Sequence, residues 1–399
     1  MHAHPASGAP PSFAIADIWR AHGESFRDTH HLSPEQQRVM RDIERCRTAA
    51  LGGHLYRCRT CAAEVPLFNS CLNRHCPSCQ GTAQFRWVEQ RIKRLLNTHY
   101  FHLAFTLPAP LRPLCRSHPR LLFDLLFAAT ASTLIDLARD PKRLGAEIAF
   151  SLVLHTWTRD MRFHPHVHGI VSGGGLDLNN DRWVPAREHF LIRVEVLSAV
   201  FRGKFLEGLI DAYEAGALTS HAGLDDRSFR QLTRRLRSQN WVVYSKAPFG
   251  GPEPVVRYLG RYTHRVAISN RRLLAVGADA ITFATKNGGS CTLTPHEFLR
   301  RFLLHVLPTR FVKIRHYGLL APACVNTRLV RAQQLLGTPT TTSTTEPNVV
   351  ASDTLRNSDR TAAGPHCPHC GNSTLEIIAP LGPPRYRHRR RDTRPPPDT

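Results

Sequence analysis

Three histidines at alternate positions, His164, His166 and His168, stand in the stretch RFHPHVHGIVSGGG. In an extended chain successive side chains point to opposite faces, so these three share one face and Pro165, Val167 and Gly169 the other. Two imidazoles at i and i+2 can close on one divalent ion. A polar sheet face turned to solvent shows the same spacing. A second feature is the pair Tyr258 and Tyr262 in VVRYLGRYTHR. Four residues apart on a helix, both phenols lie on one face, one turn from each other. Core packing uses that spacing too, but Arg257, Arg261 and Arg265 repeat with the same period on the adjacent stripe. A basic stripe beside two phenols suits a phosphate-bearing strand laid along the helix.

Together these parts make a chemistry. A tyrosine hydroxyl, with a pKa of about 10, is a weak nucleophile at neutral pH. A divalent ion held by two imidazoles polarises a scissile phosphate and stabilises the charge that develops on it. Attack by the phenol leaves a phosphotyrosine and a free 3′ hydroxyl. The phosphodiester energy is retained, so strands can be rejoined without a nucleotide cofactor. Two tyrosines permit two successive cleavages, which strand transfer needs and simple nicking does not.

The cysteines carry a different signal. There are eleven, and six fall between Cys46 and Cys79. With no export signal visible, clustered cysteines point to zinc rather than disulfides. The pair Cys58 and Cys61 (CRTC) is followed after fourteen residues by Cys76 and Cys79 (CPSC). These read as two knuckles of one tetrahedral zinc site, closed by four thiolates and therefore structural. Cys46, His54, Cys71 and His75 form a second set of ligands, or else pack. CPHC at 367–370 is half a site, to be completed by His366, His369, Cys324 or a partner chain.

The surrounding chain must position these groups. Of its 399 residues, Lys and Arg number 53 against 31 Asp and Glu, a formal net charge of +22. Such a surplus implies a polyanion, and nucleic acid ahead of acidic lipid, because no strongly apolar amphipathic helix accompanies the charge. No apolar stretch approaches the roughly 20 residues of a membrane span, and a cytoplasmic protein is expected. Residues 1–30 read as a flexible lead-in. A helix capped by Ser33 and the zinc-binding segment follow to residue 99. A strand at 100–108 opens the main domain, 100–336. A helix over 117–138 leads to a hairpin of two strands, AFSLVLHTW and the histidine stretch, which SGGG ends as a turn. Helices occupy 190–240, a strand 241–249, and a helix starting near Pro254 carries the tyrosines. Strands RVAIS and AITFATK and a helix over 295–307 complete it. Residues 337–365 are a linker, and 366–399 hold the CPHC element and an arginine-rich tail.

HTWTRDMRFHPHVHGIVSGGGL, RYLGRYTHRVAISNRR, NSCLNRHCPSCQ and EFLRRFLLHVLPTRFVKIRHYG closely resemble the two-tyrosine HUH transposases of rolling-circle insertion sequences, of the IS91 type. The resemblance runs over residues 30–330. It implies that His166-Val167-His168 is the metal pair, that Tyr258 and Tyr262 are the nucleophiles, and that FTLP (105–108) is the strand preceding the metal motif. It further implies an α+β fold, an antiparallel sheet flanked by helices with an N-terminal zinc-binding domain. Mg²⁺ or Mn²⁺ dependence, single-stranded DNA at element ends and target, and 5′-phosphotyrosine intermediates follow from it, in a bacterial, nucleoid-associated setting. The family's third metal ligand has three candidates: His155, His164 and His102. The tail then reads as an auxiliary DNA clamp. Two rivals stay open: a replication initiator or relaxase with the same chemistry, and a non-catalytic zinc-ribbon DNA-binding protein.

Overall fold

The computed structural model describes residues 13–187, 191–218, 224–246, 260, 266–337 and 366–383. Two helices come first. α1 (Ile15–Thr29) buries Ile15, Ile18, Trp19 and Phe26, the stripe of a helix packed on one side. The segment expected as a lead-in is therefore a core element from residue 15 onward. α2 (Pro34–Arg45) starts as its sequence requires. Ser33 Oγ accepts from Gln36 N at 3.3 Å, and Ser33 N donates to Gln36 Oε1 at 3.0 Å, with Pro34 in the first turn. The antiparallel strands β1 (Gly53–Cys58) and β2 (Glu64–Phe68) follow, then α3 (Gly81–Ile92).

The main sheet is antiparallel throughout. It contains β3 (Tyr100–Thr106), β4 (Glu147–Trp157), β5 (Phe163–Asp177), β6 (Arg182–Pro185), β7 (Val243–Lys246) and one further strand nearer the C-terminus. β11 (Ile314–Gly318) begins the order β11-β4-β5-β3-β7, and β6 pairs with the far end of β5. Between these strands run α4 (Arg112–Ser117), α5 (Pro119–Arg139), α6 (Val194–Glu214) and α7 (Asp226–Ser238). A small sheet of β8 (Leu273–Val276), β9 (Ile281–Ala284) and β10 (Ser290–Leu293) leads into α8 (Pro295–Leu303). α8 packs on α1 through Trp19 and Phe302, whose ring centroids are 5.6 Å apart. α9 (Arg328–Leu336) and β12 (Leu375–Leu381) come last, and β12 pairs with β1.

Alternation gives the main sheet two different faces. Leu103, Phe105, Leu152, Leu154, Val167 and Val171 point to one side, against Leu126, Phe127 and Phe201 of α5 and α6. Each fully buried phenylalanine there contributes about 2–3 kcal/mol of transfer free energy. Tyr100, Ala149, Val153 and Ile170 point to the other side and meet Leu329 and Ala332 of α9, with Trp87 of α3 packed alongside. The histidines belong to this second face. α5 is long and apolar enough to cross a membrane by length and composition, contrary to the expectation from the sequence, but most of it is buried in the core.

Two local expectations are corrected. SGGG does not end the histidine strand. β5 runs through Gly173–Gly175 to Asp177, and Gly174–Asp177 pair with β6. The turn falls after it, where Asp177 Oδ1 accepts from Asn179 N and Asn180 N, as Asp side chains do at turns. RVAIS is no strand in its described part: Val266, Ala267 and Ile268 are buried in irregular backbone beside α1 and α8.

Candidate active site and metal centres

Register brings three imidazoles together. β4 pairs with β5 so that His155 lies opposite His166, and Val153 opposite His168. Ring nitrogens of His155, His166 and His168 lie within 4.8 Å of one another. His166 Nε2 and His168 Nε2 are 3.1 Å apart. Two nitrogens each about 2.1 Å from one ion stand about 3.0–3.4 Å apart at coordination angles of 90–110°, so the separation fits a shared metal. Of the three candidates for a third ligand, His155 is the one in this group. His164 faces Arg112, whose Nη2 lies 3.3 Å from its Nδ1. His102 stands behind His168, with Nε2 at 2.9 Å from His168 Nδ1 and the two rings stacked.

The far nitrogens set the tautomers. His166 Nδ1 donates to the carbonyl of His164 at 2.7 Å, which leaves Nε2 with a lone pair. His168 Nδ1 donates in the same way when His102 Nε2 accepts. Burial supports these neutral forms. It pushes His166 and His102 down to about 4, the latter helped by the Lys246 charge, and holds His168 well below the usual range. His166 and His168 therefore present neutral imidazoles at neutral pH, the form that ligates metals.

Tyr258, Tyr262, Arg257, Arg261 and Arg265 lie outside the described residues. Gly260, between the two tyrosines in sequence, is described: it is helical and buried. A Cβ there would stand 2.2 Å from Val88 Cγ2 of α3, a close approach that only glycine permits. α3 carries Trp87 on the apolar cluster of the histidine-bearing face.

The four cysteines assigned to one zinc site do not meet. Cys76 and Cys79 join Cys46 and Cys71, while Cys58 and Cys61 join Cys367 and Cys370. In the first cluster Cys46 Sγ and Cys76 Sγ are 3.6 Å apart, and Cys71 Sγ and Cys79 Sγ 3.7 Å. Sulfurs around a tetrahedral zinc at about 2.3 Å stand about 3.8 Å apart. The four thiolates thus fit one tetrahedral zinc ion. The cluster's partners Met40, Ile43 and Phe298 make it part of the second hydrophobic core.

His75, a ligand candidate by sequence, is a strut instead. Its Nε2 accepts from Leu307 N at 3.2 Å and its Nδ1 meets Asn73 Oδ1 at 3.1 Å. Burial pushes it down to about 3. His54 lies on β1 with its ring near Tyr56, outside both clusters. His366 bonds Ser373 Oγ at 2.7 Å. The sequence hides this pairing. Cys46 carries no CxxC signature, and Cys367 is separated from its partners by more than three hundred residues.

Residues 150–328 match a family model described as "Putative transposase", and residues 18–107 match one described as "Transposase zinc-binding domain". The chain is 42% identical over 388 residues to "Putative transposase y4qJ" of Sinorhizobium fredii, across 93% of this chain and 97% of that protein. It is 30% identical over 298 residues to the transposase for insertion sequence element IS801 of Pseudomonas savastanoi pv. phaseolicola, across 71% of each. No solved structure matches. His155, His166 and His168 lie inside the first matched region and the first cysteine cluster inside the second; Cys367 and Cys370 lie outside both.

Proposed function

Because this chain belongs to the IS91-type transposases, we propose that it cuts and rejoins single-stranded DNA at the ends of an insertion sequence, with Tyr258 and Tyr262 as nucleophiles and His155, His166 and His168 as ligands of a divalent ion. The observation that carries this reading is the three-histidine cluster, with two Nε2 atoms at 3.1 Å and their distal nitrogens anchored. Mg²⁺ or Mn²⁺ bound there supplies Lewis-acid polarisation of the scissile phosphate. The protein's own groups do the rest. The His164 carbonyl and His102 orient the two rings. The tyrosine oxygen forms a bond to phosphorus as the bond to the 3′ oxygen breaks, and that oxygen leaves protonated. The product is a 5′-phosphotyrosine that a 3′ hydroxyl can later attack, which is the cycle of rolling-circle transposition.

Two further observations support the assignment. Gly260 ties the residue between the tyrosines to α3, on the same side of the sheet as the histidines. The charge of +22 suits a DNA-bound protein. Initiators and relaxases use the same chemistry, but the relatives over most of this chain are transposases. The test is labelled single-stranded terminal DNA incubated with Mn²⁺. The wild type should form a covalent adduct. Tyr258→Phe and Tyr262→Phe should each abolish transposition while DNA binding persists. No adduct with any divalent metal, or normal transposition by both variants, overturns the proposal.

A further inference from the structure

The second cysteine cluster joins two distant parts of the chain: Cys58 and Cys61 lie inside the region matched by the zinc-binding family model, and Cys367 and Cys370 beyond both matched regions. We infer that Cys58, Cys61, Cys367 and Cys370 bind a second structural zinc ion, which staples the C-terminal element onto the first hairpin. The inference stands independently of the transposition chemistry.

Cys58 Sγ and Cys370 Sγ are 3.6 Å apart, as are Cys61 Sγ and Cys367 Sγ. All four sulfurs lie within 4.8 Å of one another. Zinc in a thiolate tetrahedron sets sulfurs about 3.8 Å apart, whereas a disulfide needs about 2.05 Å. Four soft thiolates in that geometry select zinc over oxygen-seeking ions.

The backbone around the sulfurs is built for the same purpose. Cys58-x-x-Cys61 and Cys367-x-x-Cys370 fold into matching turns. Ala62 N donates to Cys58 O at 2.9 Å, and Gly371 N donates to Cys367 O at 2.8 Å. Cys58 N donates to Ala63 O at 2.9 Å, and Cys367 N donates to Asn372 O at 2.8 Å. Ala62 and Gly371 both take the left-handed conformation, with φ of 59° and 76°. An alanine held there adopts a conformation that L-residues disfavour, which the turn must offset elsewhere. Two superposable knuckles facing each other across four sulfurs form a complete site.

The C-terminal element also lacks another anchor of sufficient size. Among residues 366–381, Cys367 is the one fully buried side chain. β12 pairs with β1 from Cys58↔Leu375 to Gly53↔Leu381, but Ile377 and Ile378 remain exposed. A polar clasp adds Thr60 Oγ1 to Thr374 Oγ1 at 2.9 Å and an Arg59–Glu376 ion pair. These contacts align the element; a metal would lock it. The end of β12 rests on Gly52, where a Cβ would meet Leu381 O and Pro383. The run RYRHRRRDTR begins only two residues later in the sequence. Zinc at this site therefore fixes the base of the arginine-rich tail on the zinc-binding domain.

The experiment is a metal count on the full chain by plasma mass spectrometry, with hydrogen exchange on the same samples. Wild type should carry two zinc ions. Cys367→Ser/Cys370→Ser should carry one and lose exchange protection at residues 375–381. Cys370→His, which offers zinc an imidazole in place of a thiolate, should keep two and retain that protection. A wild type holding one zinc, a serine variant still holding two, or a disulfide among the four cysteines in reduced protein overturns the inference. A serine variant that fails to fold leaves the wild-type and Cys370→His counts to decide.

Discussion

Replacing His102 with alanine isolates what the residue behind a metal ligand contributes. His102 touches no ion in the proposed site; it accepts from His168 Nδ1 at 2.9 Å, with the rings 5.0 Å apart and 14° from parallel. Alanine removes that acceptor and the stacked plane at once. The His168 N–H then lies buried with this bond unmade, a loss of about 1–3 kcal/mol. The bond strengthens when Nε2 coordinates a cation, because the ring carries positive charge. The loss therefore falls more heavily on the loaded protein than on the free one. Removal of such a partner weakens metal binding about 10–100-fold, or about 1.4–2.7 kcal/mol. Mn²⁺ binding to the full chain, read by calorimetry, should show this shift. Cleavage of terminal DNA should need correspondingly more Mn²⁺ yet return at saturation. His102→Gln, which restores an acceptor, should recover part of the affinity, and His155→Ala should lose more than His102→Ala. Unchanged Mn²⁺ affinity in His102→Ala would refute the reasoning. So would cleavage lost at saturating metal with affinity intact.

Three other outcomes are expected. Cys76→Ser should cost one zinc ion and lower the melting temperature, because Cys46 and Cys76 sit in the same buried cluster as Met40, Ile43 and Phe298; an unchanged melting temperature would remove the structural role. The Nζ of half-buried Lys313 is itself buried without a hydrogen-bond partner among the described residues, and that burial pushes the lysine down to about 7. A lysine with a depressed folded pKa opposes folding most below that value, and the penalty fades as pH rises toward the unfolded pKa. Lys313→Met should therefore stabilise the protein most at pH 6 and progressively less from pH 7 to about 10; a pH-independent gain would contradict it. In Gly173→Ala a new Cβ would stand 2.3 Å from the His99 ring, which packs edge-on to Phe101. Forcing that ring away should cost about 1–3 kcal/mol in denaturant unfolding, and a neutral result would show that His99 gives way freely.

Much of the site was legible because its signals are local. Alternation alone placed His164, His166 and His168 on one face, and β5 keeps them there. Three CxxC pairs announced half-sites, and the backbone turns at Cys58–Ala62 and Cys367–Gly371 are built from bonds spanning four or five residues. The Ser33 cap is equally short-ranged. The stripe Ile15, Ile18, Trp19 and Phe26 was also present in the sequence, though the segment was read as a lead-in.

What the chain could not announce is which half-site meets which. A knuckle offers two thiolates and no address, so Cys58 and Cys61 are as compatible with Cys76 and Cys79 as with Cys367 and Cys370. Pairing β12 with β1 decides between them, and that ladder joins residues more than three hundred positions apart. His155 is the same case on a smaller scale. Its i+2 neighbours give no metal signature, and only the register setting it opposite His166 makes it the third imidazole. Side-chain spacing is a property of one strand, whereas ligand sets are closed by hydrogen-bonded pairing between strands, and that pairing exists only once the whole chain has folded.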